Sequence, residues 1–202
     1  PRPGHPQNGG VSGRRRAGGV RALLAHAVVA AVALAGCEGG TPAPSGQAGK
    51  EARAGAGTVT RVVDGDTIHV RLASPGGGGG SEEKVRLIGI DTPETHGRGG
   101  LRECFGAEAS NRLQALLPPG TGVRLVRDVE PRDRYGRLLA YVYRAPDGLF
   151  VNLALAREGY ATAMSYPPNV AHAGDLGAAV RDARQSQRGL WRRCGGPDTP
   201  ER

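Results

Sequence analysis

The apolar positions of the chain form short runs separated by turn residues, beginning near Thr58. Five runs of β-branched and aliphatic residues have strand length, and three longer stretches carry apolar residues at helical spacing. The pattern predicts strands at 58–63, 67–72, 84–90, 123–126 and 138–143. It predicts helices at 107–117, 150–158 and 175–188.

This order of elements favours a mainly β, α+β domain. Five strands with helices inserted late suit a small closed barrel of the oligonucleotide-binding (OB) type with three helices, and do not suit a doubly wound parallel sheet. Asp64-Gly65-Asp66 predicts a tight hairpin turn between the first two strands. The polar, glycine-rich residues 74–83 predict a long loop after the second.

The N-terminal part has the composition of an export signal. Residues 22–36 are apolar, follow several arginines and are too few to span a bilayer comfortably. The alternative is a buried helix of the domain. The segment ends at Cys37 in a pattern similar to the lipobox of bacterial lipoproteins, whose cysteine is lipidated. The protein is therefore expected to be exported, either as a cell-envelope lipoprotein or, after ordinary cleavage, as a secreted protein.

The domain organisation follows from these composition changes. We expect a signal peptide over 1–37, a flexible tether over 38–56, a folded domain over 57–194 and a disordered tail over 195–202. The net charge of +8 is weak support for a polyanionic partner, since five of the 27 basic residues and no acidic residue precede Cys37. A monomer is expected, with membrane contact only through a lipid on Cys37.

Two cysteines remain once Cys37 is set aside. In an oxidising compartment Cys104 and Cys194 would most simply pair, which would attach the C-terminus to the loop before the first helix. A zinc site is disfavoured because no histidine lies at ligand spacing from them.

Four carboxylates occur in two clusters: Asp64 with Asp66, and Asp91 with Glu94. Each cluster alone reads as an ordinary turn. If the hairpin neighbours the third strand, however, the four acids converge at one end of the barrel, where they would repel unless a cation lay among them. Because every candidate ligand is an oxygen, the ion should be calcium or magnesium, and calcium suits an exported protein better.

Two arginines complete the candidate chemistry. Arg86 lies within an apolar strand, and Arg137 follows a polar turn. Either alone would be interpreted as a salt bridge, but a metal, a carboxylate and two guanidiniums are together the groups that phosphodiester hydrolysis needs. A regular strand would place Arg86 and Asp91 on opposite faces, so we expect the strand to bend or end near Gly89.

Three segments make the pattern specific. Residues 63–67, 86–95 and 133–141 resemble, in order and spacing, the motifs of the staphylococcal (micrococcal) nuclease or thermonuclease family. The resemblance covers about residues 57–193 and implies an OB barrel with three helices. It also implies a nuclease that cleaves the P–O5′ bond of DNA and RNA with little sequence preference and leaves 3′-phosphates.

The resemblance also implies a role for each site residue. Asp66, Asp91 and the backbone carbonyl of Thr92 would bind Ca²⁺, with Asp64 close by. Glu94 would orient or deprotonate the attacking water. The phosphate-binding and nucleotide-binding roles would fall to Arg86 and Arg137 at the scissile phosphate, Arg134 and Tyr135 at a neighbouring phosphate, and Tyr166 beside the nucleotide.

Two other classes of protein remain open. The chain could be a non-catalytic nucleic-acid-binding OB module, because this fold also serves as an interaction module. It could also be a structural lipoprotein of the envelope. Both alternatives predict no need for acids beside arginines, and a binding module in particular has little reason to hold acids next to a polyanion.

Overall fold

The computed structural model describes residues 52–74, 79–95 and 102–201. The predicted signal peptide, Cys37 and most of the predicted tether lie outside this part of the chain. Within the described ranges, no helix has the length and apolar character needed to cross a membrane.

The described residues form seven strands and four helices. The strands are β1 (Ala52–Asp64), β2 (Thr67–Ala73), β3 (Gly79–Leu87), β4 (Gly89–Asp91), β5 (Gly122–Arg127), β6 (Leu138–Arg144) and β7 (Thr162–Met164). The helices are α1 (Gly106–Leu116), α2 (Val151–Glu158), α3 (Ala173–Gln185) and α4 (Leu190–Arg193).

Five strands close into a barrel in the order β1-β2-β3-β6-β5. All neighbours are antiparallel except β3 and β6, which run parallel, and β5 returns to pair with β1. Strands β4 and β7 form a separate antiparallel pair beside the barrel. The predicted five-stranded OB barrel is confirmed, while the β4–β7 pair and the four-residue α4 are additions to it.

The core follows the predicted alternation of apolar side chains. Ile68 and Val70 of β2 and Val85 and Leu87 of β3 are fully buried, whereas the intervening residues are more exposed. Leu113 of α1 is also fully buried and belongs to the same apolar cluster. This burial pattern fixes the register of the strands, because a shift of one residue would turn every apolar side chain outward.

The predicted third strand, 84–90, is broken in two. β3 ends at Leu87, and β4 begins at Gly89, whose φ of 81° lies in the left-handed region. A Cβ on Gly89 would stand 2.4 Å from Leu176 Cδ1, so the chain turns there against α3. The expected bend therefore occurs at Gly89, and Asp91 leaves the direction of β3.

The strands extend beyond the predicted limits at two places. β1 begins at Ala52, so the expectation of a flexible tether through Ala56 is wrong for residues 52–56, four of which pair with β5. β3 begins at Gly79, inside the predicted loop 74–83, and Glu82 and Glu83 pair with β2. Small or polar residues carry no apolar signal, yet their backbone groups complete the hydrogen-bonded ladder of the barrel.

The C-terminal residues are also placed, contrary to the expectation of a disordered tail from 195 onward. Cys194 is joined to Cys104 by a disulfide. The Cys104 N–H donates to the Thr199 carbonyl at 2.7 Å, and the Glu201 N–H donates to the Arg102 carbonyl at 2.9 Å. Backbone hydrogen bonds to the segment before α1 thus order residues that composition alone describes as polar and unstructured.

Candidate active site

A cleft of about 900 Å³ opens where the β1–β2 turn, the end of β3 and the turn before β6 meet. All the residues predicted to bind the metal, the water or the substrate line it, except Thr92. Thr92 lies buried directly beside it, and its N–H donates to Asp66 Oδ2 at 3.3 Å. The predicted residues on the cleft wall are Asp64, Asp66, Arg86, Asp91, Glu94, Arg134, Tyr135, Arg137 and Tyr166.

Asp66 is the most enclosed of the acids, with 5% of its surface exposed. It follows the tight Asp-Gly turn, where its own N–H donates to Asp64 Oδ1 at 3.1 Å. Its Oδ1 accepts a hydrogen bond from Thr67 Oγ1 at 3.0 Å. The turn and its neighbours thus hold the Asp66 carboxylate in a single orientation, facing Arg86.

Arg86 links the two acidic clusters. Its Nη1 lies 2.5 Å from Asp66 Oδ2, and its Nη2 lies 2.8 Å from Asp91 Oδ1. The break of the strand at Gly89 makes this possible, because it brings Asp91 back to the face that carries Arg86. The acids therefore converge around a cation supplied by the protein itself, and the guanidinium expected to face a phosphate is engaged with carboxylates.

Burial and mutual repulsion raise the pKa values of three acids in the cleft. Burial raises the pKa of Asp66 to about 7, with Arg86 lowering it and Asp64 raising it further. Burial also raises the pKa of Asp91, against the opposing effect of Arg86. The pKa of Glu94 is raised by burial and then by the charges of Asp64 and Asp91. A further cation at this end of the cleft would lower all three.

The donor set fits a hard cation. Asp64, Asp66, Asp91 and Glu94 offer only oxygen atoms, which calcium and magnesium prefer. The pKa values of Asp66, Asp91 and Glu94 are raised, mainly by burial, although Arg86 lowers all three, so a further cation would stabilise their charged forms. Among the residues that the structure describes, no three acidic, histidine or cysteine side chains are already grouped as a metal would require, so the carboxylates would have to close in around an ion.

Arg137 belongs to the turn before β6, which forms a second wall of the cleft beside the wall that carries Arg86 and the acids. Its Nε donates to Asp133 Oδ2 at 2.7 Å. The other carboxylate oxygen of Asp133 accepts the backbone N–H groups of Tyr135 and Arg137, each at 2.9 Å. Although burial acts to raise the pKa of Asp133, the hydrogen bonds from Arg137 and Tyr135 lower it below its usual value. Asp133 thus fixes both the turn and the guanidinium.

Two exposed tyrosines flank the mouth of the cleft. Tyr135 is 67% exposed, and its hydroxyl lies 2.6 Å from Arg134 Nη2. Tyr166 is 72% exposed and follows β7. Its loop is attached to the other wall through Asn169, whose side chain exchanges two hydrogen bonds with the backbone of Glu130, at 2.8 and 3.1 Å.

Sequence reasoning assigned no role to Asp133 or Asn169. Asp133 could have been found, because an aspartate that opens a four-residue polar turn commonly accepts the N–H groups of that turn. Asn169 has no comparable local signal, since its partner Glu130 is distant in sequence. Its function as a link between the two walls is visible only in the folded chain.

The closed barrel and this cleft together define an OB-fold hydrolase of the nuclease type. A family model described as staphylococcal nuclease homologue matches residues 84–193. A thermonuclease of Staphylococcus intermedius is 42% identical over 135 residues, which are 67% of this chain and 75% of that protein. A thermonuclease of Staphylococcus hyicus is 37% identical over 66% of this chain and 73% of its own length.

A more distant relative is the endonuclease YncB of Bacillus subtilis, 34% identical over 68% of this chain and 62% of its own length. The chain belongs to the staphylococcal nuclease family.

Proposed function

We propose that this chain is an exported, calcium-dependent nuclease that hydrolyses phosphodiester bonds of DNA and RNA with little sequence preference and leaves 3′-phosphates. The observation that carries the proposal is the convergence, in one cleft, of carboxylates from two distant segments with Arg86 and Arg137. A binding module would gain nothing from buried acids beside a polyanion. A hydrolase needs them.

Asp66, Asp91 and the backbone carbonyl of Thr92 would hold the calcium ion, with Asp64 beside them. When bound, the ion supplies positive charge that screens and polarises the phosphate. The protein's contribution is an all-oxygen set of ligands whose carboxylates are already turned toward one another by Arg86.

Glu94 is the residue for the attacking water. It lines the cleft beside Asp91, and burial together with the nearby negative charges raises its pKa. A carboxylate of raised pKa is a better proton acceptor at neutral pH than an ordinary one. Glu94 either takes a proton from the water or orients it, and the water oxygen then attacks phosphorus as the P–O5′ bond breaks. The phosphate stays on the 3′ oxygen, and O5′ takes up a proton from solvent and leaves as a 5′-hydroxyl.

The guanidiniums bind and stabilise the phosphate. Arg137 is presented rigidly by Asp133 with part of its donor set left over, since only its Nε is used in that ion pair. A guanidinium carries five N–H donors, so Arg86 can keep a carboxylate partner and still donate to a phosphate oxygen. Both would act most strongly on the charge that develops in the transition state. Arg134, Tyr135 and Tyr166 would contact the flanking nucleotides.

The direct test is cleavage of heat-denatured DNA and of RNA by the purified chain with Ca²⁺ and with a chelator. We expect both substrates to be degraded with calcium, no degradation with the chelator, and fragments whose 3′ ends accept label only after phosphatase treatment. Fragments with free 3′-hydroxyls would contradict the proposed bond cleavage. Nucleic-acid binding without any cleavage would favour the non-catalytic OB module.

Glu94→Gln provides the residue-level test. Glu108, on the exposed side of α1, is the matched control because the same substitution there removes an equal charge outside the cleft. We expect Glu94→Gln to reduce kcat by about 100-fold or more, and Glu108→Gln to leave it unchanged. Equal activity of the two variants would remove Glu94 from the mechanism.

Export is proposed from the N-terminal sequence alone. The basic and then apolar order of residues before Cys37 is typical of a signal peptide, and Cys37 closes a lipobox-like pattern. Expression of the chain with and without Cys37→Ser, followed by fractionation, separates the two destinations. Membrane association lost in the variant supports a lipid anchor. Activity found in the medium for both indicates a secreted enzyme, and activity kept in the cytoplasm argues against export.

A further inference from the structure

The backbone of Glu94 is hydrogen-bonded twice to Glu103, nine residues further along the chain. The Glu103 N–H donates to the Glu94 carbonyl at 3.0 Å, and the Glu94 N–H donates to Glu103 Oε2 at 2.9 Å. The backbone of Gly106 also packs closely against Glu94, because a Cβ on Gly106 would lie 2.7 Å from the Glu94 carbonyl oxygen. Glu94 therefore owes its position to the segment that leads into α1.

That segment is in turn held by the C-terminus. We call residues 194–201 the C-terminal strap. Glu103 pairs with Pro200 in an antiparallel bridge, and the neighbouring Cys104 and Arg102 make the two strap hydrogen bonds already described. Thr199 turns the strap back on itself, since its hydroxyl donates to the Gly196 carbonyl at 3.2 Å. The strap thus lies along the side of Glu103 that does not face Glu94.

The disulfide joins both ends of this arrangement. Cys104 is the residue after Glu103, and Cys194 begins the strap. Phe105, beside Cys104, packs on Tyr160 at 5.3 Å between ring centroids and joins a small apolar cluster with Leu190 and Trp191. The barrel core is a different group of buried residues, and the partly buried Val180 packs against both groups. Because the disulfide joins only the strap and the segment before α1, we expect its loss to loosen the strap and Glu103 more than the barrel strands.

We infer that the Cys104–Cys194 disulfide and the C-terminal strap position Glu94 through Glu103, so that the enzyme is weakly active while its cysteines are reduced and fully active once they are oxidised. The inference rests on the proposed nuclease function. A chain that is synthesised in a reducing compartment and exported to an oxidising one would in this way be restrained while it is near the cell's own nucleic acids. Glu103 is a positioning residue and touches no substrate.

The oxidation has a simple balance. The thiols of Cys104 and Cys194 lose two protons and two electrons and form one S–S bond. A disulfide-bearing oxidant of the export compartment takes them up and becomes two thiols, by ordinary thiol–disulfide exchange. The reverse reaction with an excess of reductant returns the restrained form.

The test compares oxidised and phosphine-reduced full-length protein, at a temperature well below unfolding of either, with kcat and KM measured separately. We expect reduction to lower kcat by about ten- to a hundredfold, as displacement of a catalytic group does, while KM changes little. A Cys104→Ala/Cys194→Ala variant should show the low kcat and no response to the reductant, which excludes an effect through Cys37. Equal kcat in both redox states, or a loss that only parallels unfolding by circular dichroism, would overturn the inference.

Substitutions at Glu103 provide a second test of the inference. Glu103→Ala should lower kcat as reduction does, and Glu103→Gln should recover most of it, because a glutamine oxygen can still accept the Glu94 N–H. Glu108→Ala is the control in the same region. Full activity of Glu103→Ala, or equal loss in the alanine and glutamine variants, would contradict the positioning role.

Amide hydrogen exchange gives a readout that does not depend on catalysis. Reduction should speed exchange at the Glu94 and Glu103 amides and leave the β2 and β3 amides protected. Unchanged exchange at Glu94 would overturn the inference whatever the activity. If the oxidised protein proves inactive but exchange responds as expected, the proposed nuclease function fails while the strap's effect on Glu94 stands.

Discussion

Arg86 and Arg137, the two guanidiniums proposed to bind the scissile phosphate, are held in opposite ways. Arg86 binds Asp66 and Asp91, which come from the hairpin turn and from β4, beyond the bend at Gly89, and its side chain is only 13% exposed. Arg137 binds Asp133, four residues earlier in the same turn, and is 26% exposed. One wall of the cleft is therefore assembled by long-range folding, and the other by one short turn.

This difference has an energetic consequence. Removing one partner of a buried ion pair leaves an uncompensated charge, which costs about 3–5 kcal/mol. The Arg137–Asp133 pair is partly exposed and lies within one turn, so its loss should cost less, about 1 kcal/mol. Arg86 should thus serve both stability and activity, whereas Arg137 should serve activity almost alone.

The largest expected effect is that of Arg86→Ala. It should reduce kcat by about 1000-fold, as loss of a transition-state donor does. Well above pH 7, where Asp66 is charged, it should also lower the free energy of unfolding by about 3–5 kcal/mol because the buried carboxylate loses its partner. Chemical denaturation and steady-state kinetics on the same preparation measure both. A variant with unchanged stability would show that Asp66 is not charged in the folded protein.

Arg137→Ala should reduce catalytic activity while leaving folding stability almost unchanged. We expect a loss of about 100-fold or more in kcat with a change in unfolding free energy of about 1 kcal/mol or less. Arg132→Ala is the comparison within the same wall, since Arg132 pairs with Glu83 and also donates to the Gly136 carbonyl of the turn that carries Arg137. If Arg132→Ala lost as much activity as Arg137→Ala, the wall as a whole, and not Arg137, would be responsible.

Alanine substitutions at two glycines, one in each wall, test the walls without removing a charged group. Gly89 and Gly136 have φ values of 81° and 78°, so alanine is strained at both by about 1–2 kcal/mol. Only at Gly89 would the new Cβ also meet a neighbour, Leu176 Cδ1. Gly89→Ala should therefore be the more destabilising in thermal melts, and it should reduce activity by displacing Asp91. Equal costs would show that Leu176 moves aside freely.

The smallest expected effect is a pH dependence at Asp133. Its pKa is lower in the folded protein than in the unfolded chain, so its contribution to stability is present above the unfolded value and disappears as pH falls through the folded value. The stability difference between wild type and Asp133→Asn should thus be constant near neutral pH and shrink in acid. A difference that grew on acidification would reverse the assignment.

Much of the fold could be predicted from the sequence because the barrel strands bury alternating apolar side chains. Ile68, Val70 and Val85 carry a period of two, and all three are fully buried in neighbouring strands. The beginning of β1 at Ala52 and the strap at Thr199 could not be predicted in the same way. These segments are held by backbone hydrogen bonds, which any residue with an N–H can make and which leave no mark on composition.

Some features of the candidate site could likewise be predicted from local sequence, and others could not. Local sequence determined the turn at Asp64–Asp66, the turn at Asp133–Arg137 and the bend at Gly89, because each depends on the conformational preferences of a few adjacent residues. Only the tertiary structure decided that Arg86 neutralises Asp66 and Asp91, that Asn169 joins the cleft walls and that Glu103 holds Glu94. Those contacts depend on which distant segments the barrel brings within a few ångströms of one another. The order of residues along the chain does not specify those distances.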